Sequence, residues 1–158
     1  MEVLTLNKIT MAVLGFGQRG IVFSNVAKDF KDEVELVAVC EKNQDKFDMI
    51  KNKYYLNESQ IYQNENDFFS KGKLADILII STMDQDHYLH TMKALDVGYD
   101  ILLEKPIALT KEHIFKIKEK ANKLNRKIAV AHVLRYTPFY QEIKKVIDSK
   151  LIGQIASI

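Results

Sequence analysis

A glycine-rich segment near the N-terminus constrains the fold more than any other feature of this sequence. It follows an apolar run of strand length at residues 10–15, opens a stretch with helical spacing at 18–30, and reads Gly15, Phe16, Gly17, Gln18, Arg19, Gly20. In a strand-turn-helix unit, the first glycine permits a tight turn, the second lets a ligand approach the backbone, and the third lets the helix pack against the strand. Free amides at the helix N-terminus then bind phosphate oxygens. The segment predicts a pyrophosphate site, and a glycine-rich turn that binds no ligand is the alternative.

Apolar runs of strand length alternate with longer stretches of helical spacing along the rest of the chain. Further strands are predicted at residues 34–40, near Ile61, and at 75–81, 101–103 and 127–133, and further helices at 44–53, 64–70, 85–97, 111–125 and 138–149. Residues 77–80 are apolar at every position, which indicates a strand that helices cover on both faces. The alternation predicts an α/β Rossmann fold with a doubly wound, mostly parallel sheet.

Length, charge and cysteine content exclude several other classes of protein. The 158 residues fit one ordinary domain, and a net charge of +2 gives no electrostatic reason to expect nucleic acid or an anionic membrane as a partner. The single cysteine, Cys40, excludes a disulfide framework. The N-terminus does not resemble a signal sequence, and no apolar run approaches the roughly 18 residues of a membrane span. We therefore expect a cytoplasmic protein without nucleic-acid or membrane partners.

The end of the sequence is unusual, because residues 151–158 read as a turn followed by strand-like residues. A strand needs a neighbouring strand for its backbone hydrogen bonds. We therefore expect residues 1–150 to form a dinucleotide-binding domain, and residues 151–158 to be the first strand of a second domain that this sequence lacks. The exposed strand at 155–158 could also pair with another copy, so a homo-oligomer is an alternative to a monomer.

An acidic residue, Glu41, ends the second predicted strand about twenty residues after the last loop glycine. A carboxylate at this position accepts hydrogen bonds from the hydroxyls of an adenosine ribose, which favours NAD. A ribose 2′-phosphate would be repelled by Glu41, although Lys42 and Arg19 could offset that repulsion, so NADP is the alternative cofactor. Two other interpretations also stay open, an exposed loop carboxylate and an adenosylmethionine site.

Two further loops lie where ligands bind in doubly wound sheets, beyond the carboxyl ends of the strands. The first holds Ser81, Thr82 and His87, and His87 is a candidate contact to ribose or nicotinamide, or else a surface histidine near a helix start. The second holds Glu104 and Lys105, followed by a proline that fixes the turn. Lys105 can donate a hydrogen bond to a carboxamide or a substrate hydroxyl, and a solvated Glu-Lys ion pair is the alternative.

Taken together, several segments resemble the N-terminal domain of the Gfo/Idh/MocA oxidoreductases, a family that includes glucose-fructose oxidoreductase and inositol dehydrogenase. The segments are residues 13–20, 79–87, 98–108, 135–139 and 152–155. The resemblance covers nearly the whole chain, and Glu104-Lys105-Pro106 is its most diagnostic element. Family members continue into an α+β domain with an open sheet that supplies the substrate contacts.

The resemblance implies a role for each candidate residue. The glycine loop would hold the pyrophosphate, Glu41 the adenosine ribose, Thr82 and His87 the nicotinamide ribose, and Lys105 would lie beside nicotinamide and substrate as the catalytic residue. The two residues after the sixth strand would flank the nicotinamide. The predicted cofactor-binding set is Gly15, Phe16, Gly17, Gln18, Arg19, Gly20, Glu41, Lys42, Ser81, Thr82, His87, Glu104, Lys105, His132 and Val133. We assign no metal site.

The function implied by these features is that of the dinucleotide-binding domain of an NAD(P)-dependent oxidoreductase. The complete protein would transfer hydride between NAD(P) and a sugar, polyol or related hydroxy compound, whereas these 158 residues would bind the cofactor without turnover. A regulatory module that senses NAD(P) is one alternative, because a fold does not determine a function. An adenosylmethionine-dependent transferase is another, although it gives Glu104-Lys105-Pro106 no evident purpose.

Overall fold

The computed structural model describes residues 8–157, and in that range six strands form one parallel sheet in the order β3-β2-β1-β4-β5-β6. The strands are β1 Ile9–Leu14, β2 Val34–Cys40, β3 Ile61–Tyr62, β4 Ile77–Ile80, β5 Asp100–Leu103 and β6 Ile128–Val130. Each crossover between parallel strands contains helical residues. The predicted α/β fold with a doubly wound parallel sheet is confirmed.

Helices begin and end close to the predicted positions. They are α1 Gln18–Asp29, α2 Phe47–Tyr54, α3 Glu65–Ser70, α4 His87–Val97, α5 Lys111–Lys123 and α6 Pro138–Asp148, with short 3-10 turns at Gln44–Lys46, Glu58–Gln60, Asp84–Asp86 and Val133–Tyr136. The cap of α5 is local, because the Thr110 hydroxyl oxygen accepts a hydrogen bond from the His113 amide at 3.2 Å. The predicted helices at 44–53 and 85–97 each have a 3-10 turn in place of a regular first turn.

Side chains on the two faces of the sheet form two separate cores. Alternate residues of a strand point to opposite faces, so Leu14 of β1 lies in one core and Val13 in the other. In β4, Leu78 and Ile79 are divided in the same way. Burial on both faces explains why these strands are apolar at successive positions.

The strand order changes direction at β1, because β2 and β3 lie on one side of it and β4, β5 and β6 on the other. The chain segments that leave β1 and β4 therefore diverge at the carboxyl edge of the sheet. A crevice opens at such a switch point, and it is where doubly wound sheets bind ligands. This topology brings the glycine loop next to the segment that begins at Ser81.

The C-terminal part of the chain differs from the prediction in two places. The sixth strand ends at Val130 rather than at Val133, because the His132 amide donates to the Val130 carbonyl at 2.7 Å and the backbone turns there. Residues 151–157 form turns and irregular backbone, so no strand is seen in them. A strand needs a paired neighbour, and none adjoins these residues in the described range. Residue 158, the last of the predicted strand, lies outside the described residues.

One face of α6 is apolar and exposed. Phe139 is 69% exposed, and Ile143 and Val146 are 40% and 42% exposed. These side chains and Ile152 line a shallow groove together with neighbouring residues of the C-terminal segment. Between residues 8 and 157, no helix has both the length and the hydropathy that a membrane span requires.

Candidate functional site

The glycine loop is packed tightly against the start of the segment after β4. Gly15 has a φ of +90°, and a Cβ added to it would lie 2.7 Å from the Ser81 carbonyl oxygen. The Ser81 hydroxyl donates to the Gly15 carbonyl at 2.7 Å. A Cβ on Gly20 would collide with that same carbonyl oxygen. Gly15 and Gly20 are therefore required by the fold itself, and the hydrogen bond from Ser81 stabilises the loop.

Gly17 differs from the other two glycines, because a Cβ added to it would have no atom within 4 Å. Gly17 is the N-cap residue of α1 and has a φ of −75°, a value that any residue can adopt. Among residues 8–157, no side chain caps α1. Open space therefore lies beside the backbone at the point where α1 presents its first amides, and the loop has room for an anionic group there.

A cleft with a volume of about 240 Å³ adjoins the glycine loop at the carboxyl edge of the sheet. It is lined by Leu14, Gly15, Phe16, Gly17, Cys40, Glu41, Lys42, Lys46, Glu65, Ser81, Thr82, Met83, Asp86 and His90. Seven of the predicted cofactor residues are in this set, namely Gly15, Phe16, Gly17, Glu41, Lys42, Ser81 and Thr82. The cleft therefore joins the glycine loop, the end of β2 and the segment after β4 into one site.

The carboxylate of Glu41 is held in the wall of this cleft. Its Oε2 accepts from the Phe16 amide and from the Lys46 ammonium, both at 3.0 Å, and its Oε1 accepts from the Asn43 amide at 2.8 Å. The side chain is 11% exposed. Glu41 is thus an oriented carboxylate beside the glycine loop, and the interpretation as an exposed loop carboxylate is wrong.

Sequence reasoning missed Lys46, the cation closest to this carboxylate. Its ammonium donates to Glu41 Oε2 and to the Phe16 carbonyl oxygen, both at 3.0 Å. The predicted cations are paired elsewhere: Arg19 binds Glu104, and Lys42 lies 3.8 Å from a carboxylate oxygen of Glu65. The contact depends on the 3-10 turn after Glu41, which brings Lys46 back toward the cleft. The only sign of this contact in the sequence is that a lysine follows shortly after the strand.

The placement of His87 differs from its predicted role as a cofactor contact. The side chain is completely buried. Its Nδ1 lies 2.6 Å from the Pro106 carbonyl oxygen, and its Nε2 lies 3.3 Å from the Thr82 carbonyl oxygen. His87 therefore holds together the two loops that follow β4 and β5, and it has no surface to offer a ligand. The Lys105–Pro106 peptide bond that it supports is cis.

Glu104 also differs from the prediction, since its side chain is buried and is not among the residues that line the cleft. Its Oε1 accepts from Arg19 Nε at 2.5 Å, and its Oε2 accepts from the Lys105 amide at 3.0 Å. The carboxylate is therefore not part of a solvated pair with Lys105. It ties the first turn of α1 to the backbone of the residue that the sequence singles out as catalytic.

The remaining predicted residues lie outside the lining of the cleft. Lys105 follows β5 and has an exposed side chain, and Gln18 is exposed at the start of α1. His132 and Val133 are exposed after β6, and Val133 belongs to a 3-10 turn rather than to the strand. Lys105, His132 and Val133 share the carboxyl edge of the sheet with the cleft, but they stand beyond its β4 side.

Two neutral side chains complete the cleft. His90, which the sequence analysis missed, places Nδ1 2.9 Å from the Thr82 hydroxyl oxygen, and burial lowers the pKa of its imidazole. The sign of His90 in the sequence is its position one helical turn after His87, which places the two histidines on the same side of the helix. Burial raises the pKa of the Cys40 thiol to about 12, and the nearby carboxylates of Glu65 and Glu41 act in the same direction. Cys40 is therefore an uncharged wall residue.

Comparison with known proteins identifies relatives of this site and fold. Residues 9–132 match the Gfo/Idh/MocA oxidoreductase family, which has an NAD-binding Rossmann fold. The chain is 29% identical over 156 residues to oxidoreductase P35 of Formosa agariphila and 24% identical over 155 residues to D-glucoside 3-dehydrogenase of Escherichia coli. These alignments cover 96% of this chain, and 46% and 42% of the two relatives respectively.

A similar fold occurs in scyllo-inositol dehydrogenase from Lactobacillus casei, whose structure was solved with NAD(H) and scyllo-inositol. The TM-score is 0.82 at 22% identity, and the match covers 94% of this chain and 43% of that one. The chain thus spans less than half the length of each of these proteins. Because the family match extends over all six strands of the sheet and the whole cleft, the chain belongs to the Gfo/Idh/MocA oxidoreductases and forms the NAD-binding Rossmann fold of that family.

Proposed function

We propose that the cleft binds a nicotinamide dinucleotide, with NAD preferred over NADP. The observation that carries this proposal is the open space beside Gly17, next to the uncapped N-terminus of α1 and close to the oriented carboxylate of Glu41. An anionic pyrophosphate fits the first of these features, and a ribose diol fits the second. The residues present therefore suit both chemical parts of the ligand.

The remaining residues are proposed to position the cofactor and the substrate. Thr82 lines the cleft beyond the glycine loop, while His87 and Glu104 act indirectly by fixing the loops after β4 and β5. Lys105 is the proposed catalytic residue, because its exposed ammonium can donate a hydrogen bond or a proton to a substrate oxygen. A bound nicotinamide supplies the hydride chemistry. His132 and Val133 are proposed as contacts to the far end of the cofactor.

We propose further that the complete protein interconverts a carbinol carbon and a carbonyl carbon of a sugar or polyol, with hydride passing to or from the bound nicotinamide. Support comes from the relatives, which include a D-glucoside 3-dehydrogenase and an inositol dehydrogenase. Residues 1–150 would be the cofactor domain, and residues 151–158 would lead into a second domain with the substrate contacts. The exposed apolar face of α6, including Phe139 and Ile143, is the surface that such a domain would cover.

Replacing Glu41 with alanine is expected to weaken NADH binding by roughly 10- to 100-fold, because a hydrogen bond to a charged group contributes about 1.5–3 kcal/mol. NADPH should lose less affinity, or gain some, since the repulsion of its 2′-phosphate disappears. Titration by the fluorescence of the reduced nicotinamide measures both affinities. Asp45→Ala is the matched control, because it removes an exposed carboxylate from the same turn. Tighter binding of NADPH than of NADH by the unmodified chain would overturn the NAD assignment.

The 158-residue chain is expected to bind NADH and yet to show no turnover with polyols and NAD. Holding a substrate carbon at the reacting distance contributes roughly 7–11 kcal/mol in well-oriented systems. In the described residues, Lys105 is exposed rather than enclosed by a substrate pocket. The assay is absorbance of NADH formed from a panel of inositols and aldoses, with binding measured separately. Turnover that copurifies with the chain and disappears in Lys105→Ala would contradict this expectation.

A further inference from the structure

We infer that His90 is a positioning residue that sets the direction of the Thr82 hydroxyl hydrogen, so that a neutral His90 ring makes this hydroxyl a hydrogen-bond acceptor for the dinucleotide. The inference rests on the proposed function of the cleft. Both side chains line the cleft, and His90 Nδ1 lies 2.9 Å from Thr82 Oγ1. Among residues 8–157, this is the one hydrogen bond that the His90 ring makes.

Three contacts hold Thr82 in place and leave its hydroxyl hydrogen as the part that can still turn. Its Cγ2 methyl packs against Gly15, because a Cβ added to that glycine would lie 2.9 Å from the methyl. Its carbonyl oxygen lies 3.3 Å from His87 Nε2, and its hydroxyl faces His90. His87 is completely buried, whereas His90 lies at the cleft wall and is 6% exposed. The two histidines of α4 therefore fix the backbone and the hydroxyl of the same residue.

The protonation state of His90 decides which hydrogen-bonding group Thr82 offers to a ligand. A hydroxyl has one hydrogen to donate and two lone pairs that accept. When Nδ1 carries no proton, the hydroxyl donates to it and leaves only lone pairs for the dinucleotide, whose ribose hydroxyls and carboxamide nitrogen are donors. When both ring nitrogens are protonated, Nδ1 donates to the hydroxyl oxygen, and the hydroxyl hydrogen turns away from the ring. Protonation of His90 thus reverses the polarity of Thr82.

The surroundings of His90 favour a neutral ring with its proton on Nε2. Burial lowers the pKa of the imidazole, and Lys93 of α4 and Lys42 after β2 act in the same direction. The carboxylates of Asp86, just before α4, and Glu65, in α3, oppose this shift, and each acts more strongly than either lysine. This negative field stabilises a proton on the nitrogen that Thr82 leaves free. We therefore assign the proton of the neutral ring to Nε2, which leaves Nδ1 as the acceptor.

The affinity for NAD should therefore fall as the pH is lowered. The ring becomes protonated as the pH falls through the lowered pKa of His90, below the ordinary imidazole value of 6.5. A positive charge that acted directly on the anionic ligand would have the opposite effect, because it would strengthen binding. We expect the affinity to drop about three- to tenfold between pH 8 and pH 5, the factor that one neutral hydrogen bond contributes.

The test is a calorimetric titration of the intact chain with NAD at pH 8, 6 and 5, with circular dichroism on the same samples. His90→Asn should keep most of the affinity at pH 8 and lose the dependence on pH, because an amide oxygen can replace Nδ1 as the acceptor and does not titrate. Thr82→Val should bind more weakly and should also lose the dependence on pH, since it has no hydroxyl to reverse. His113→Asn is the matched control, because His113 lies on α5 outside the cleft lining, and it should keep the native pH profile.

A dependence on pH that survives His90→Asn in a folded variant would overturn the inference, because another group would then be titrating. So would a dependence that survives Thr82→Val, which would mean that the charge of His90 acts on the dinucleotide directly, or one that His113→Asn removes equally. An affinity of the native chain that stays constant or rises toward pH 5 would overturn it as well. Failure of the unmodified chain to bind NAD at pH 8 would instead refute the proposed function.

Discussion

Replacing Gly20 with alanine is expected to destabilise the domain by about 3 kcal/mol, at the upper end of what overpacking costs. The added Cβ would collide with the carbonyl oxygen of Gly15, a backbone atom that cannot rotate away as a side chain can. Gly15 is itself confined, because its φ is +90° and its carbonyl accepts the Ser81 hydroxyl. The strain should therefore spread through the glycine loop into the start of the segment after β4.

Urea unfolding followed by circular dichroism measures this effect. Gly17→Ala is the matched control, since it adds the same methyl group to the same loop where no atom lies within 4 Å. Its free energy of unfolding should stay within about 1 kcal/mol of the native value. Equal stability of the two variants would show that the close approach of α1 to the loop is not part of the folded chain.

Replacing Gly17 with valine is expected to leave the fold intact and to abolish dinucleotide binding, in contrast to the loss of stability expected for Gly20→Ala. The native φ of −75° suits a branched residue, and the space beside Gly17 is open, so the melting temperature should change little. The isopropyl group would occupy the space proposed for the pyrophosphate. We expect NADH affinity to fall by at least about a hundredfold, as steric exclusion from the phosphate site implies.

Isothermal titration with NADH gives the affinity, and a thermal melt on the same sample reports the fold. Gly17→Ala should give an intermediate loss, because its methyl group fills less of the space. A folded Gly17→Val chain with native NADH affinity would mean that the dinucleotide does not lie across Gly17.

The elements predicted best from the sequence are those whose signals are local. The second strand, Val34–Cys40, was predicted with its exact ends, and the glycine loop was placed correctly between β1 and α1. Both depend on short-range patterning of apolar residues and glycines. The end of β6 depends instead on its pairing with β5, and the prediction extended it to Val133, beyond the last paired residue.

The side chains of the site were harder to predict, because their roles depend on contacts between distant parts of the chain. Glu104 binds Arg19, which is 85 residues away in the sequence. His87 is buried against the loop that contains Pro106, so a residue that looks like a ligand contact is a structural support. Lys46 reaches back to the carbonyl of Phe16. Residue type and spacing identify the cleft, but they do not say which side chains face it.

The proposed cofactor site is tested most directly by titrating the folded 158-residue chain with NADH, NADPH and adenosylmethionine in parallel. The three ligands share an adenosine, and they differ at the ribose 2′ position or beyond the 5′ position. Their relative affinities therefore distinguish the competing interpretations. We expect saturable binding of NADH to one site, weaker binding of NADPH, and no binding of adenosylmethionine, which lacks the pyrophosphate that the loop accommodates. Tighter binding of adenosylmethionine than of NADH, or a folded chain that binds no dinucleotide, would contradict the assignment of this cleft.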